Sequence, residues 1–423
     1  MASFSRVTAF NRVTAIAALR TVHAAFNWLH NNPKTLLDLQ AELVAIPAPP
    51  FGEEARSRWM VARFAEIGLA EIETDALGNV YGFLPAADLP AESTGHVVVI
   101  SAHLDTVFPA GTVLQPAVSR VDGASRLAAP GSCDNAAGVV GLLALAQALI
   151  HAKARLAVPL VFLGNVGEEG EGDLRGVRHF YEQRRLAGRV AAHLVLDGAG
   201  ADSAVTQALG SRRFQVTING PGGHSFTDAG TPNPIAALAT ALATLARTPV
   251  PEFPTTTLNI GTIQGGTSVN SIPENASASI DFRSTSSDEL LRLEVALHRA
   301  IEDAVEQTNT VAKNLSSRHR GTLTFVIKKI GDRPAAHLAI DSPILEALRA
   351  VDRHLGIQTD LRLGSTDANI PIALGVPAIS VGAGGDGGGA HTLAEWYSDK
   401  NREIGLRRIL LLTLALADWA AEQ

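Results

Sequence analysis

The sequence predicts an α/β protein: a mostly parallel sheet covered by helices on both faces, with a smaller α+β module inserted into it. Three observations lead there. Apolar, β-branched runs without alternation, such as "HVVVISA" (96–102), suit strands buried on both faces. Such runs alternate with helical segments, the layer pattern of α/β domains. Near residue 211 the rhythm changes, and strands begin to alternate apolar with polar residues.

The elements follow in order. Residues 35–70 read as helical, in "TLLDLQAELVAI" and "EEARSRWMVARFAEIGL", with a proline-rich break at 47–50. After the strand at 96–102 comes a buried helix, "AAGVVGLLALAQALIHA" (136–152), then the strand "VPLVFLGNV" (158–166). A helix, "GVRHFYEQRRL", leads to the strand "AAHLVLDGA" (191–199). The inserted segment reads as strand "RRFQVTING", helix "NPIAALATALATLAR" (233–247), strands "TTTLNIGTIQGG" and "ASASIDFRST", helix "SDELLRLEVALHRAIEDAVEQ" and strand "GTLTFVIKKI". That order, β-α-β-β-α-β, is ferredoxin-like. From 340 the α/β character resumes with helix "SPILEALRAVDRHL", loop "GSTDANI", strand "PAISVGA", a glycine-rich loop and a final helix at 399–421. The catalytic domain is therefore expected in two parts, 1–210 and 331–423, around a lid or dimerisation domain at 211–330.

A chain of 423 residues accommodates two domains, or one with an insertion. With 46% hydrophobic residues, 18% charged residues and a net charge of -7, it carries no basic block of the kind that binds nucleic acid. Cys133 is the only cysteine, so no intrachain disulfide can form, which fits a reducing compartment. The first 37 residues lack Asp and Glu, a composition shared with transit peptides. We read them instead as an amphipathic first helix, with Val13, Ile16, Ala17 and Leu19 on one side. The longest apolar run, "GVVGLLALAQALI", is too short to span a bilayer. A soluble, cytoplasmic protein that binds neither membrane nor nucleic acid is expected.

Candidate chemistry begins at "ISAHLDTVFP". Residues two apart in a strand share a face, so His103 and Asp105 point the same way at the carboxyl end of the 96–102 strand. Ligands bind at that end of open α/β sheets. Asp134, in "GSCDNAAG", is either a helix N-cap or a carboxylate at a loop tip. Glu168 and Glu169 follow the strand at 158–166; in an extended segment they diverge, so one can bind a metal while the other holds a water. Asp197 ends the third strand, and His391 follows the glycine-rich loop 382–390. Each alone fits a structural role. Together they place His103, Asp134, Glu169, Asp197 and His391 at successive strand ends of one sheet. Two histidines and three carboxylates suit zinc, manganese or cobalt. Five ligands exceed one structural zinc and fit two ions sharing a carboxylate, roughly 3.5–4 Å apart.

At this point the chain resembles the co-catalytic zinc exopeptidase family of peptidase T, carboxypeptidase G, acetylornithine deacetylase and succinyl-diaminopimelate desuccinylase. The matching segments are "SAHLDTV", "GSCDNAAG", "GEEGEGDLRG", "LDG", "GPGGHS", "NSIPENASASIDFR", "GSTDANI" and "GGGAHTLAEW", in the family's order from about residue 35 to the end. The resemblance implies Asp134 as bridging ligand, His103 and Asp197 completing one metal site, and Glu169 and His391 the other. It implies Asp105 orienting His103 by accepting its second imidazole N–H, and Glu168 as general base. In the insert it implies that His224 reaches a partner's active site in a homodimer to stabilise the oxyanion, and that Asn270 and Arg283 hold the substrate.

Asp at position 197 is similar to the peptidase T-like aminopeptidases, whereas many deacylases and carboxypeptidases carry Glu. The expected function is thus a dinuclear aminopeptidase or tripeptidase acting on short peptides. The alternatives are an N-acyl-amino-acid deacylase or carboxypeptidase on the same scaffold, and a catalytically silent binding protein. Cys133 departs from the Asp common before the bridging ligand; it reads as a small buried residue, or as a site of oxidation sensitivity.

Overall fold

The computed structural model describes residues 6–86, 95–183, 186, 188–315 and 320–423. Residues 184 and 185, at the end of the helix expected from "GVRHFYEQRRL", lie outside the described residues. The chain forms two compact units, Met1–Ala208 with His337–Gln423, and Leu209–Ala336.

The first unit is built on a large mixed sheet. Its strands run in the order Ala70–Thr74, Val80–Leu84, Leu160–Asn165, Val97–His103, Val190–Leu196, Ala378–Val381, Ser203–Ala208. Leu160–Asn165, Val97–His103, Val190–Leu196 and Ala378–Val381 are mutually parallel. Ala70–Thr74 and Val80–Leu84 add antiparallel at one edge. Alternate residues of the central strands serve opposite faces. Val98, Ile100, Ala102, Leu160 and Phe162 join a core with the helices Ala136–His151 and Arg402–Ala420. Val97, Val99, Val161 and Leu163 pack on the other face with Phe180 of the helix Arg175–Glu182. Burial on both sides is why these strands are apolar without alternation. Truncating Ile100, fully buried, to alanine would cost about 2–5 kcal/mol.

The helix Ala136–His151 starts at Asn135, whose side chain accepts the Gly138 N–H. A Cβ on Gly138 would lie 2.4 Å from the Leu196 carbonyl oxygen. Only glycine lets the helix start approach the strand end that precedes Asp197 so closely.

A second, four-stranded antiparallel sheet joins Asp386–Gly388, Trp396–Ser398, Ala124–Ala128 and Ala117–Val121. Its strands are short, two of them exposed and two half-buried, so no buried apolar run announces them in the sequence.

At the amino end the expectation of one helix is corrected. Two helices form, Arg6–Ala17 and Arg20–Asn31. Leu19 takes an extended conformation between them (ψ 136°) and is half exposed. Val13, Ile16 and Ala17 are buried as expected, but the helical period ends before Leu19.

The second unit has a four-stranded antiparallel sheet in the order Thr256–Gly265, Asn275–Ser284, Gly210–Asn219, Thr324–Arg333. That is the ferredoxin-like order. The helices Pro234–Leu245 and Ser287–Leu315 cover one face, where Leu238, Leu293 and Leu297 pack on Val216, Ile218, Ile280 and Phe282. Among the described residues, no helix is long and apolar enough to cross a membrane.

Candidate metal centre

His103 is the last residue of the strand Val97–His103, and Asp197 follows Val190–Leu196. Glu168 and Glu169 follow Leu160–Asn165 by a short turn. Asp134 and His391 correct the expectation of five strand ends on one sheet. Asp134 sits in the turn before the helix Ala136–His151. His391 sits between Asp386–Gly388 and Trp396–Ser398 of the small sheet, in a left-handed conformation (φ 65°) that costs about 1–2 kcal/mol.

The five side chains nevertheless converge. Asp134 Oδ1 lies 3.1 Å from His103 Nε2, and Asp134 Oδ2 lies 3.1 Å from His391 Nε2. His103 Nε2 is 3.8 Å from Asp197 Oδ1, and His391 Nε2 is 3.1 Å from Glu169 Oε1. His103, Asp134 and Asp197 thus form one group, and Asp134, Glu169 and His391 another, with Asp134 common to both. Glu168 groups with His103 and Glu169.

These groups fit divalent cations. Donors at about 2.0–2.1 Å around a tetrahedral zinc stand about 3.3 Å apart, which the observed spacings bracket. Asp134 Oδ1 is buried and accepts no hydrogen bond. The electrostatics point the same way. Burial disfavours charge on His103, yet Asp105, Asp134 and Asp197 hold its pKa well above the usual imidazole value. The hydrogen bond to Asp134, with the nearby Glu169 charge, pushes His391 up to about 9. Burial, then repulsion from Asp134, pushes Glu169 up to about 7. Divalent cations bound among these carboxylates would replace the protons as the balancing positive charge.

Asp105 is fully buried. Its carboxylate accepts the main-chain N–H of Glu168 (3.0 Å) and of Glu169 (2.8 Å). Its hold on His103 differs from expectation: His103 Nδ1 lies 3.1 Å from the Asp105 main-chain carbonyl, and 3.6 Å from the carboxylate. Asp105 therefore fixes the paired glutamates as much as the imidazole.

Three supporting residues were given no role from sequence. Glu395 accepts the N–H groups of Gly131, Cys133 and Asp134, each at 2.8 Å, and so clamps the turn that presents Asp134. Asn135 accepts the N–H groups of Gly138 and Gly198 at 3.0 Å and donates to the Leu196 carbonyl at 2.9 Å, tying the Asp134 turn to the Asp197 turn. Asp367, fully buried, accepts from the Asn165 amide at 2.6 Å, and burial raises its pKa to about 7. The only sequence signal was their place inside the quoted motifs, which does not separate a clamp from a turn residue. Cys133 is a small buried residue, and burial pushes its thiol up to about 12.

In the second unit, His224 and Asn270 come together. His224 pairs with Ser271, and Ser225 N–H donates to the Asn270 carbonyl at 3.0 Å. The His224 side chain is exposed, and its Nδ1 accepts the Phe226 N–H at 3.2 Å. Arg283 is not with them. It stands opposite Ser211 and Thr257, eight residues along the strand from Asn275, about 27 Å. Its Nε donates to Asp281 at 2.8 Å.

Residues 99–415 match the peptidase family M20/M25/M40. Among curated proteins, a probable carboxypeptidase of Aspergillus clavatus is 28% identical over 272 residues, 60% of this chain and 58% of that protein. One of Neosartorya fischeri is 28% identical over 311 residues, 67% of this chain and 69% of that protein. The chain thus spans about six tenths of the length of the first of these relatives. Among solved structures, the aminopeptidase PepT of Bacillus cereus superposes with a TM-score of 0.70 at 19% identity, covering 91% of this chain and 99% of that one. A tripeptidase of Staphylococcus aureus gives 0.66 at 20%, covering 93% and 99%. A dinuclear metal binding peptidase of Bacillus subtilis gives 0.61 at 18%, covering 92% and 99%. At these identities the likeness is one of fold. With about three quarters of its length matched, the chain belongs to the peptidase family M20/M25/M40.

Proposed function

We propose that the chain is a dinuclear metal-dependent hydrolase of amide bonds in short peptides, an aminopeptidase or tripeptidase. One observation carries the dinuclear part of this reading, the two oxygens of Asp134 each lying 3.1 Å from a different histidine within two groups of donors, while the aminopeptidase part rests on the resemblance at Asp197. His103, Asp134 and Asp197 would hold one ion, and Asp134, Glu169 and His391 the other. Zinc suits this set best; manganese and cobalt are compatible. Bound divalent cations supply Lewis acidity, which activates water near neutral pH and polarises a carbonyl.

The rest falls to the chain's own residues. Glu168, buried beside Glu169, is the general base; it takes the proton from the attacking water and hands it to the leaving amine. Asp105 sets its position by holding its main-chain N–H. Following the resemblance, the Leu209–Ala336 unit serves as lid and dimerisation module, with His224 and Asn270 on the loops that meet substrate in a partner copy. Arg283 takes a substrate carboxylate on exchanging its Asp281 pairing.

Glu168→Gln in the metal-loaded full chain tests the mechanism. Two ions should still bind while turnover falls about 10²–10⁴-fold; wild-type turnover would remove Glu168 as the base. A second reading, carboxypeptidase or N-acyl-amino-acid deacylase, has support from the curated relatives named probable carboxypeptidases. Tripeptides with free amino ends, assayed beside acetyl- and succinyl-amino acids, separate the two. Turnover of the acylated set alone would overturn the aminopeptidase reading.

A further inference from the structure

We propose that a hollow walled by Phe108, Pro109, Val113, Ala129, Pro130 and Leu393 is the subsite for an apolar side chain on a substrate residue flanking the scissile amide. This rests on the amide-hydrolase reading and adds a side-chain class to it. The hollow has a volume of about 610 Å³, ample for a leucine or phenylalanine side chain and within the size range of small-ligand sites.

Its position follows from the chain. Phe108 lies three residues beyond Asp105, Pro130 four before Asp134, and Leu393 two beyond His391. At no more than about 3.6 Å per residue, Leu393 stands within about 7 Å of His391, and Pro130 within about 14 Å of Asp134. Glu395 locks the hollow to the ligand turn. Its carboxylate holds Gly131, Cys133 and Asp134, while its carbonyl accepts the Ala129 N–H at 3.1 Å. The walls and the candidate ligands are thus set by the same contacts.

The chemistry of the walls selects the occupant. All six named residues are apolar, and Thr112 and Gln115 add polarity without charge. Glu395 is the one ionisable lining residue, and both its oxygens are taken by main-chain N–H groups. A charged side chain would lose hydration there without finding a partner. An apolar one would displace water from apolar walls, the favourable direction. Phe108 is buried as the floor, whereas Val113 and Leu393, 71% and 72% exposed, form a rim that packing alone does not require.

The test uses the metal-loaded full chain, with Leu393→Asp and Val113→Asp as rim variants. Dipeptides pairing glycine with Leu, Phe, Ala or Asp, in both orders, give kcat/KM ratios. Leucinamide and glycinamide binding is measured by calorimetry in parallel. The proposal expects Leu or Phe to be preferred over Ala by about tenfold or more in at least one order, and over Asp by more. It expects either variant to shrink that ratio at least about fivefold. A wild type without the preference, or variants that retain it in full, would overturn the subsite while leaving amide hydrolysis standing. If no dipeptide is cleaved, the tripeptide assay decides the hydrolase reading and binding decides the subsite. Leucinamide held about tenfold tighter than glycinamide, with the margin lost in Leu393→Asp, supports it; equal binding of the two overturns it.

Discussion

Replacing Asp105 by asparagine separates the support of the metal centre from the ligands themselves. The wild-type carboxylate accepts two main-chain N–H groups, from Glu168 at 3.0 Å and Glu169 at 2.8 Å. Asparagine keeps one acceptor oxygen and turns an NH2 donor towards the second N–H. One buried N–H is left unpaired, at a cost of about 1–3 kcal/mol. Losing the carboxylate relieves some repulsion with Glu169, but it also removes the pairing with His103, which outweighs burial in holding the Asp105 carboxyl below its usual range, so the metal-free variant should be destabilised by no less than that figure. The larger effect falls on metal binding. Removing such a supporting partner typically costs about 10–100-fold in affinity. At a fixed metal concentration that is about 1.4–2.7 kcal/mol of metal-dependent stabilisation. Thermal unfolding across a zinc titration, with chelator competition for the affinity, reads both quantities. A variant with the wild-type zinc affinity and the wild-type gain in Tm would refute the role given to Asp105.

Three further outcomes follow from the same geometry. Glu395→Gln keeps an acceptor for Cys133 and Asp134 but not for Gly131; metal affinity should fall about tenfold while circular dichroism stays unchanged. Asn135→Ala unties the Asp134 and Asp197 turns and leaves the Gly138 and Gly198 N–H groups without that acceptor, costing about 2–4 kcal/mol in chemical denaturation. The metal-free protein should lose stability as pH rises. Glu169 is raised from 4.5 to about 7 and His391 from 6.5 to about 9, so each stabilises fully below its unfolded value and loses that contribution through its folded value. Tm measured in chelator from pH 5 to pH 9 should therefore fall, while zinc affinity rises over the same window as the ligands deprotonate.

The parallel strands could be read from sequence because burial on both faces leaves a continuous apolar run, as in Val97–His103. Ala70–Thr74, Ala117–Val121 and Asp360–Gly364 could not, because they are exposed strands without that signature. The two-helix amino end was missed since Leu19 continues the apolar period in sequence but not in conformation. The candidate ligands were chosen by residue type and motif, and those side chains lie together. Their routes there were misread for Asp134 and His391, which arrive on a turn and on a small antiparallel sheet rather than on strand ends. Glu395 and Asn135 were invisible because their work is done through main-chain N–H groups, which carry no side-chain signature. Arg283 is placed by its strand rather than by the motif it shares. In the segment "NSIPENASASIDFR" it follows Asn270 closely, yet the strand Asn275–Ser284 carries it about 27 Å beyond Asn275.

The central claim is a pair of cations sharing Asp134. Anomalous diffraction from crystals of the zinc-loaded chain measures it directly. The account predicts two peaks roughly 3.5–4 Å apart, with Asp134 between them, His103 and Asp197 on one, and Glu169 and His391 on the other. A single peak, or two that do not share Asp134, would contradict it.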